Sequence, residues 1–181
     1  MDGIHDTQFS RRARRFHALN MFRLAGGVVP DPRPTLGGMP LSLEERQEFL
    51  TRPHSAALSV AAGPGRGPLL VPIWYQYRPG SDLWVLTGAD SRKLRHIRDA
   101  GRFSIMVQQV EPTIRYVTVE GPVTGIEPMT DAQHREMVER YLPADKVESY
   151  LKAAEAYGPQ VVVSMRPERW LSADLGSVDD M

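Results

Sequence analysis

The sequence predicts a mainly β fold with some α: a small six-stranded antiparallel barrel with helices packed on its outside. Three observations carry that expectation. Strand-like segments outnumber helical ones, and short connections rich in Gly, Pro and Asp join most of them. Alternation is clean where it can be read, with Phe103, Ile105 and Val107 on one face and Ser104, Met106 and Gln108 on the other. Few crossover connections are present, which favours antiparallel pairing and closure into a barrel.

The totals fit such a domain. The chain has 181 residues, 41% apolar and 24% charged, enough for one globular domain with a real core. Lys+Arg and Asp+Glu both number 22, giving a formal net charge of zero. A nucleic-acid binder normally carries a basic excess, so that class is disfavoured. There is no cysteine, which excludes a disulfide scaffold, a thiolate zinc site and a cysteine nucleophile, and suits a reducing cytoplasm. No apolar run approaches the roughly 18 residues of a membrane span. The polar, Arg-rich N-terminus lacks the apolar stretch of a secretory signal.

Residues 1–40 read as an arm and linker, 41–175 as the barrel domain and 176–181 as a tail. The run SRRARRF fits a short amphipathic helix with Phe9, Phe16, Leu19 and Phe22 as its apolar positions. Its basic face reads as solvated, with an RNA or membrane contact, or a strap around a partner subunit, as sharper alternatives. GGVVPDPRPTLGGMP then holds too much Gly and Pro for regular structure. Ser42 and Glu45 form a capping box that opens a helix with Leu43, Phe49 and Leu50 on its apolar side, and Pro53 stops it. Strands follow at 56–62, 69–78 and 82–87, the last two joined by the turn formers Arg78, Pro79, Gly80, Ser81 and Asp82. A basic helix starts near Ser91. Strands at 103–110 and 113–126 come next, and Pro122 marks an edge or bulge in the second. Thr130 with Gln133 caps a helical region reaching Tyr157 and broken at Pro143. The last strand is 160–166, with 168–171 as its extension.

One stretch calls for chemistry. TGADSRKLRHIR, residues 87–98, places Arg92, Lys93, Arg95 and Arg98 at a strand-to-helix corner. A helix N-terminus offers unpaired N–H groups and the positive end of its dipole, which together hold anions. Thr87 and Ser91 add hydroxyls. Cations in a first helical turn oppose the dipole and make more sense beside a bound anion. Leu94 and Ile97 form the buried stripe, leaving Arg95, His96 and Arg98 toward solvent. Spacing alone leaves two readings open, an anion site or a solvated basic face with weak surface pairs.

Other constellations are weaker. Trp74, Tyr75, Tyr77 and Trp84 cluster on two adjoining strands, as core, as interface or as the wall of a flat ring pocket. Glu120, Glu127, Asp131 and His134 form no acid–base set by spacing. No metal site, nucleophile elbow, dinucleotide fingerprint or P-loop is present.

The segment from LLVPIWYQY through SRKLRHIRDAGRFSIMVQQ resembles the core of the pyridoxamine 5′-phosphate oxidase-like family, the flavin- and deazaflavin-dependent split β-barrels. The resemblance spans about 41–171. It includes the opening helix, the x-P-x-W-(F/Y) strand at 71–75, the T-x-x-x-S-R-K signature at 87–93, and the RYVTVEG strand. It implies a split barrel that forms a homodimer, with a flavin-type ring in a groove at the subunit interface. Carried over by position, Ser91, Arg92 and Lys93 contact the cofactor phosphate with help from Thr87. The backbone of Val71, Pro72, Ile73 and Trp74 lines the ring, and Gln108, Arg115 and Tyr116 contribute from the neighbouring subunit. In family members that hold FMN tightly, an arginine stands where this chain has Val71. The C-terminal substrate arginine of the vitamin B6 enzyme has no counterpart either.

These departures, with the x-P-x-W-(F/Y) pattern, make the resemblance nearest to the subgroup using coenzyme F420, an 8-hydroxy-5-deazaflavin. FMN stands as the alternative. The implied activity is reduction of an unsaturated small molecule by hydride from reduced F420, the cofactor carrying the chemistry. Water, Tyr116 or Tyr75 would supply the proton. A module that binds haem or another cofactor without turnover, with His54, His96 or His134 as ligand, is the rival reading. No metal ion, membrane or nucleic acid is expected as a partner.

Overall fold

The structure, a computed structural model, describes residues 38–176. The Arg-rich helix and the tail beyond Gly176 lie outside the described residues, as does the expected arm up to residue 37. The elements in order are α1 (Leu43–Thr51), β1 (Ala56–Val60), β2 (Leu69–Ile73), β3 (Tyr75–Gln76), β4 (Leu83–Gly88), α2 (Arg92–Ala100), β5 (Arg102–Gln109), β6 (Arg115–Pro128), α3 (Asp131–Tyr141), α4 (Ala144–Ala154), a 3-10 turn (Glu155–Tyr157), β7 (Gln160–Met165) and β8 (Arg169–Asp174).

The caps form where the sequence places them. Ser42 and Glu45 make a reciprocal capping box on α1, and Thr130 and Gln133 make one on α3. Ser91 caps α2, and Gly101 closes it in the left-handed conformation at φ 64°. Pro143 separates α3 from α4. On α1 only Phe49 and Leu50 are buried; Leu43 is exposed, a correction to its expected place on the apolar side.

The strands form an antiparallel split barrel. Their order is β2-β1-β5-β6-β7-β4-β3, with β8 also pairing β6. Eight strands stand where six were expected, for two physical reasons. First, the 69–78 run breaks at Trp74: β2 pairs with β1, while β3 pairs with β4. Second, Pro167 removes a ladder donor after β7, and 169–174 forms its own strand on β6 instead of extending β7. One chain run thus supplies both ends of the strand order, and the barrel splits at Trp74.

A second seam lies in β6. Up to Pro122 this strand pairs β5; from Val123 it pairs β7, with a bulge between Val123 and Gly125. Gly121 passes so near the Arg166 carbonyl oxygen that a Cβ would overlap it. The core fills the barrel with Leu58, Val85, Ile105, Val107, Val117, Val119 and Val163. Leu94 and Ile97 of α2 join that cluster, which fixes the start of α2 beside the end of β4. Met39 pairs with Asp174, so the last residues of the expected linker join the sheet. No helix among the described residues is long and apolar enough to cross a membrane.

Candidate cofactor site

The 87–93 corner is built by hydrogen bonds, most of them local. Ala89 N–H donates to the Pro159 carbonyl at 2.9 Å, and Ser91 N–H to the Gly88 carbonyl at 3.0 Å. These bonds turn the chain from β4 into α2. Ser91 Oγ accepts from Leu94 N–H at 3.1 Å and lies 2.9 Å from Thr87 Oγ1. Thr87 is only 5% exposed, so its hydroxyl orients Ser91 from beneath. The first turn of α2 holds no acid. Arg92 is exposed and Lys93 half-buried. Among the described residues no carboxylate pairs with either. Burial pulls the Lys93 ammonium below the ordinary lysine range. A half-buried cation at the positive end of a helix, without a counter-charge, leaves this corner short of an anion.

The second part of the site is a cavity of about 340 Å3 lined by Pro72, Ile73 and Trp74 from the split, Leu86 from β4, and residues of α3 and α4. Its shape depends on Tyr141. The Tyr141 hydroxyl accepts from Tyr75 N–H at 3.1 Å and stands 3.0 Å from the Tyr75 carbonyl and 3.1 Å from that of His54. It fills the backbone gap left where β2 ends and β3 begins. The Trp74 indole lies flat on the Tyr141 ring at 4.8 Å and 3°, with Tyr150 tilted beside it at 5.6 Å. Arg140 locks the same helix end in place. Its Nη2 donates to the Leu50 and Arg52 carbonyls at 2.9 and 2.7 Å, and its guanidinium sits over the Tyr75 ring.

The two parts adjoin. Leu86 of the cavity precedes Thr87, and Gln160, also in the cavity wall, pairs with Gly88. Both parts therefore lie at the same end of β4.

The comparisons decide the family. The model of the pyridoxamine 5′-phosphate oxidase family matches residues 42–173. The chain belongs to that family. Solved structures share its fold. An F420 reductase is 24% identical at a TM-score of 0.54, over 69% of this chain and 94% of its own. A conserved hypothetical protein from Mycobacterium tuberculosis is 23% identical at 0.57, over 77% and 88%. A FAD-binding protein from Mesorhizobium loti is 22% identical at 0.50, over 75% and 95%. No curated protein matches the chain.

Against this family frame, the expected residues fall into three groups. Thr87, Ser91, Arg92 and Lys93 share one corner. Pro72, Ile73 and Trp74 share the cavity, while the Val71 side chain packs against the barrel core. Gln108, Arg115 and Tyr116 line neither. Gln108 pairs with Tyr116 in register, and the Arg115 guanidinium holds Asp174 at 2.6 Å. Tyr75 is not an available proton donor, which corrects the sequence reading. It is fully buried, its O–H donates to the Arg52 carbonyl at 3.1 Å, and burial pushes its phenol far up. The three histidines weighed as haem ligands lie on separate elements: His54 after α1, His96 on α2 and His134 on α3.

Sequence reasoning missed the α3–α4 wall. Tyr150 on α4, Tyr157 in the 3-10 turn and Gln160 on β7 line the cavity, and Tyr141 backs Trp74; none carried a motif. A signal existed in the spacing His134, Met137, Val138, Tyr141, one helical face of four residues suited to a ligand or a core.

Proposed function

We propose that this protein is an oxidoreductase that binds a flavin-type cofactor, F420 first and FMN second, and reduces an unsaturated small molecule by hydride transfer. The observation carrying this reading is the half-buried Lys93 beside exposed Arg92 and the Ser91 cap, a cation pair without carboxylate partners among the described residues, in a chain of the pyridoxamine 5′-phosphate oxidase family. Ser91, Arg92 and Lys93 would hold the cofactor phosphate, and the 72–74 backbone would face the ring. The ring supplies the redox chemistry; the protein binds it, presents one face and excludes water. The Val71 side chain, turned into the core, adds no charge to the phosphate, which supports F420 ahead of FMN.

The reading includes a homodimer. The outer face of β2, β1, β5, β6 and β8 aligns Pro72, Ala57, Met106, Thr118 and Leu171 in register. Leu70, Met106 and Leu171 are 65%, 37% and 42% exposed there. Contiguous exposed apolar side chains favour an interface, and Gln108 and Tyr116 share this face.

The test is a titration of purified protein with F420 and with FMN, followed by cofactor fluorescence. One cofactor per chain is expected to bind, F420 more tightly; binding of neither would sink the reading.

A further inference from the structure

His134 stands at a junction that the cofactor reading leaves unused. It lines the aromatic cavity and also a polar groove of about 700 Å3 on its other side; Gln160 is shared in the same way. Its ring meets Tyr150 edge-on at 6.4 Å. Among the described residues its imidazole has no hydrogen-bond or ion-pair partner; its backbone N–H donates to the Thr130 carbonyl at 3.0 Å. A half-buried imidazole that lines both an aromatic cavity and a polar groove is placed to meet a ligand and solvent.

We propose that His134 is the acid of this cavity: its imidazole hydrogen-bonds the polar end of a flat, conjugated carbonyl or imine ligand stacked beside Trp74 and Tyr150, and gives it a proton. The cavity holds few rival donors. Ser55 is an alcohol, too weak an acid to protonate a ligand near neutral pH. Burial, and then the neighbouring Tyr157, push the Tyr150 phenol up. Tyr157 is itself mostly exposed at 64%. An imidazole is the side chain whose ordinary acidity suits proton delivery near neutral pH.

Supply comes from the groove. Its charged groups are Asp131 and Arg135 on α3, Glu148 and Lys152 on α4, and Glu155 in the 3-10 turn. Arg135 and Glu148 pair at 2.6 Å and neutralise each other. Solvent entering this groove would return to the imidazole the proton it gives away.

The redox half rests on the cofactor reading above; the recognition half does not. Its balance is simple. Hydride from the reduced deazaflavin brings two electrons to the carbon of a conjugated C=C or C=N bond. The π pair moves to the far atom, which takes one proton from His134. The cofactor leaves oxidised and the substrate gains one H–C and one H–X bond.

Two arms test this. The first needs no cofactor. para-Nitrophenolate, a flat anion shaped like the enolate left by hydride addition, is titrated into ring-labelled protein and followed by histidine NMR and by its own absorbance. The His134 signal, assigned by its loss in His134→Gln, is expected to move, and H134Q to bind about tenfold more weakly. An unmoved signal, or equal affinity in H134Q, would overturn the inference, and the wild-type NMR does not depend on a variant folding. The second arm uses reduced F420 and cyclohexenone. In H134Q kcat at saturating F420 is expected to fall about a hundredfold; an unchanged kcat would refute the acid role. Failure of F420 to bind the wild type would defeat the cofactor reading instead, with the nitrophenolate arm still deciding His134.

Discussion

At the 87–93 corner the side chains that shape the site come from one short stretch of chain, whereas the aromatic wall draws Trp74, His134, Tyr141 and Tyr150 from a strand break and two helices. The side chains of the corner are held by bonds over four residues or fewer, Thr87 to Ser91 and Ser91 to Leu94, with Ala89 N–H to the Pro159 carbonyl as its long-range tie. The wall hangs on long-range bonds: the Tyr141 hydroxyl reaches the backbone of Tyr75 and His54, and Arg140 reaches the Leu50 and Arg52 carbonyls. Local construction makes the basic corner readable as a motif. Non-local construction makes the aromatic cavity dependent on how α3 docks.

That contrast can be broken from either side. The largest effect is expected at the corner. Replacing Arg92 and Lys93 together with alanine removes two charge-assisted contacts and should weaken F420 binding by about 2–4 kcal/mol. Thermal stability of the empty protein should hold or rise slightly, because neither side chain pairs among the described residues and the buried Lys93 charge is removed. Calorimetric titration beside a melting curve checks both halves.

Tyr141→Phe attacks the wall. The ring stack survives, but Tyr75 N–H loses its partner, at a cost of about 1–3 kcal/mol. Melting temperature should drop and the fluorescence of Trp74, stacked on this ring, should change, while inorganic phosphate binding at the corner stays as before. Loss of phosphate binding in this variant would mean the two parts are not separately built.

The dependence on pH sharpens the corner further. Burial lowers the Lys93 ammonium in the unliganded fold, so its charged form is disfavoured there until an anion arrives. In the empty protein this group destabilises the fold while it must stay charged, and that penalty fades as pH rises through its lowered value. Cofactor binding has the opposite sign. It is strongest with Lys93 protonated and should weaken as pH climbs, starting before the range near 10.4 where an exposed lysine titrates. K93A should flatten that dependence.

A smaller effect is expected for Thr87→Val. It removes the hydroxyl behind Ser91 and should cost about 0.5–1.5 kcal/mol of stability, with a modest loss of cofactor affinity.

The same contrast explains what was readable in the sequence. Caps at Ser42, Ser91 and Thr130 depend on residues three positions apart, so the sequence carries them directly. The alternation of β5 depends only on which face is buried. The break at Trp74 was not visible, because 69–78 is a continuous β-prone run and the bond that stabilises the break comes from Tyr141, far along the chain. β8 was read as an extension of β7 because pairing with β6 leaves no local mark beyond Pro167. The α3–α4 wall was missed for a related reason: His134, Met137, Val138 and Tyr141 share a helical face, but the pattern cannot say whether that face meets a core or a cavity.

The most direct test of the phosphate corner compares cofactors with and without their phosphate. Wild-type protein and the Arg92, Lys93 double-alanine variant are titrated with F420 and with the same deazaflavin lacking its phosphate arm, and FMN is set against riboflavin. If the corner holds the phosphate, the wild type prefers the phosphorylated form by about 2–4 kcal/mol and the variant loses that preference. Equal affinity of the wild type for both forms, or a preference that survives in the variant, would contradict it.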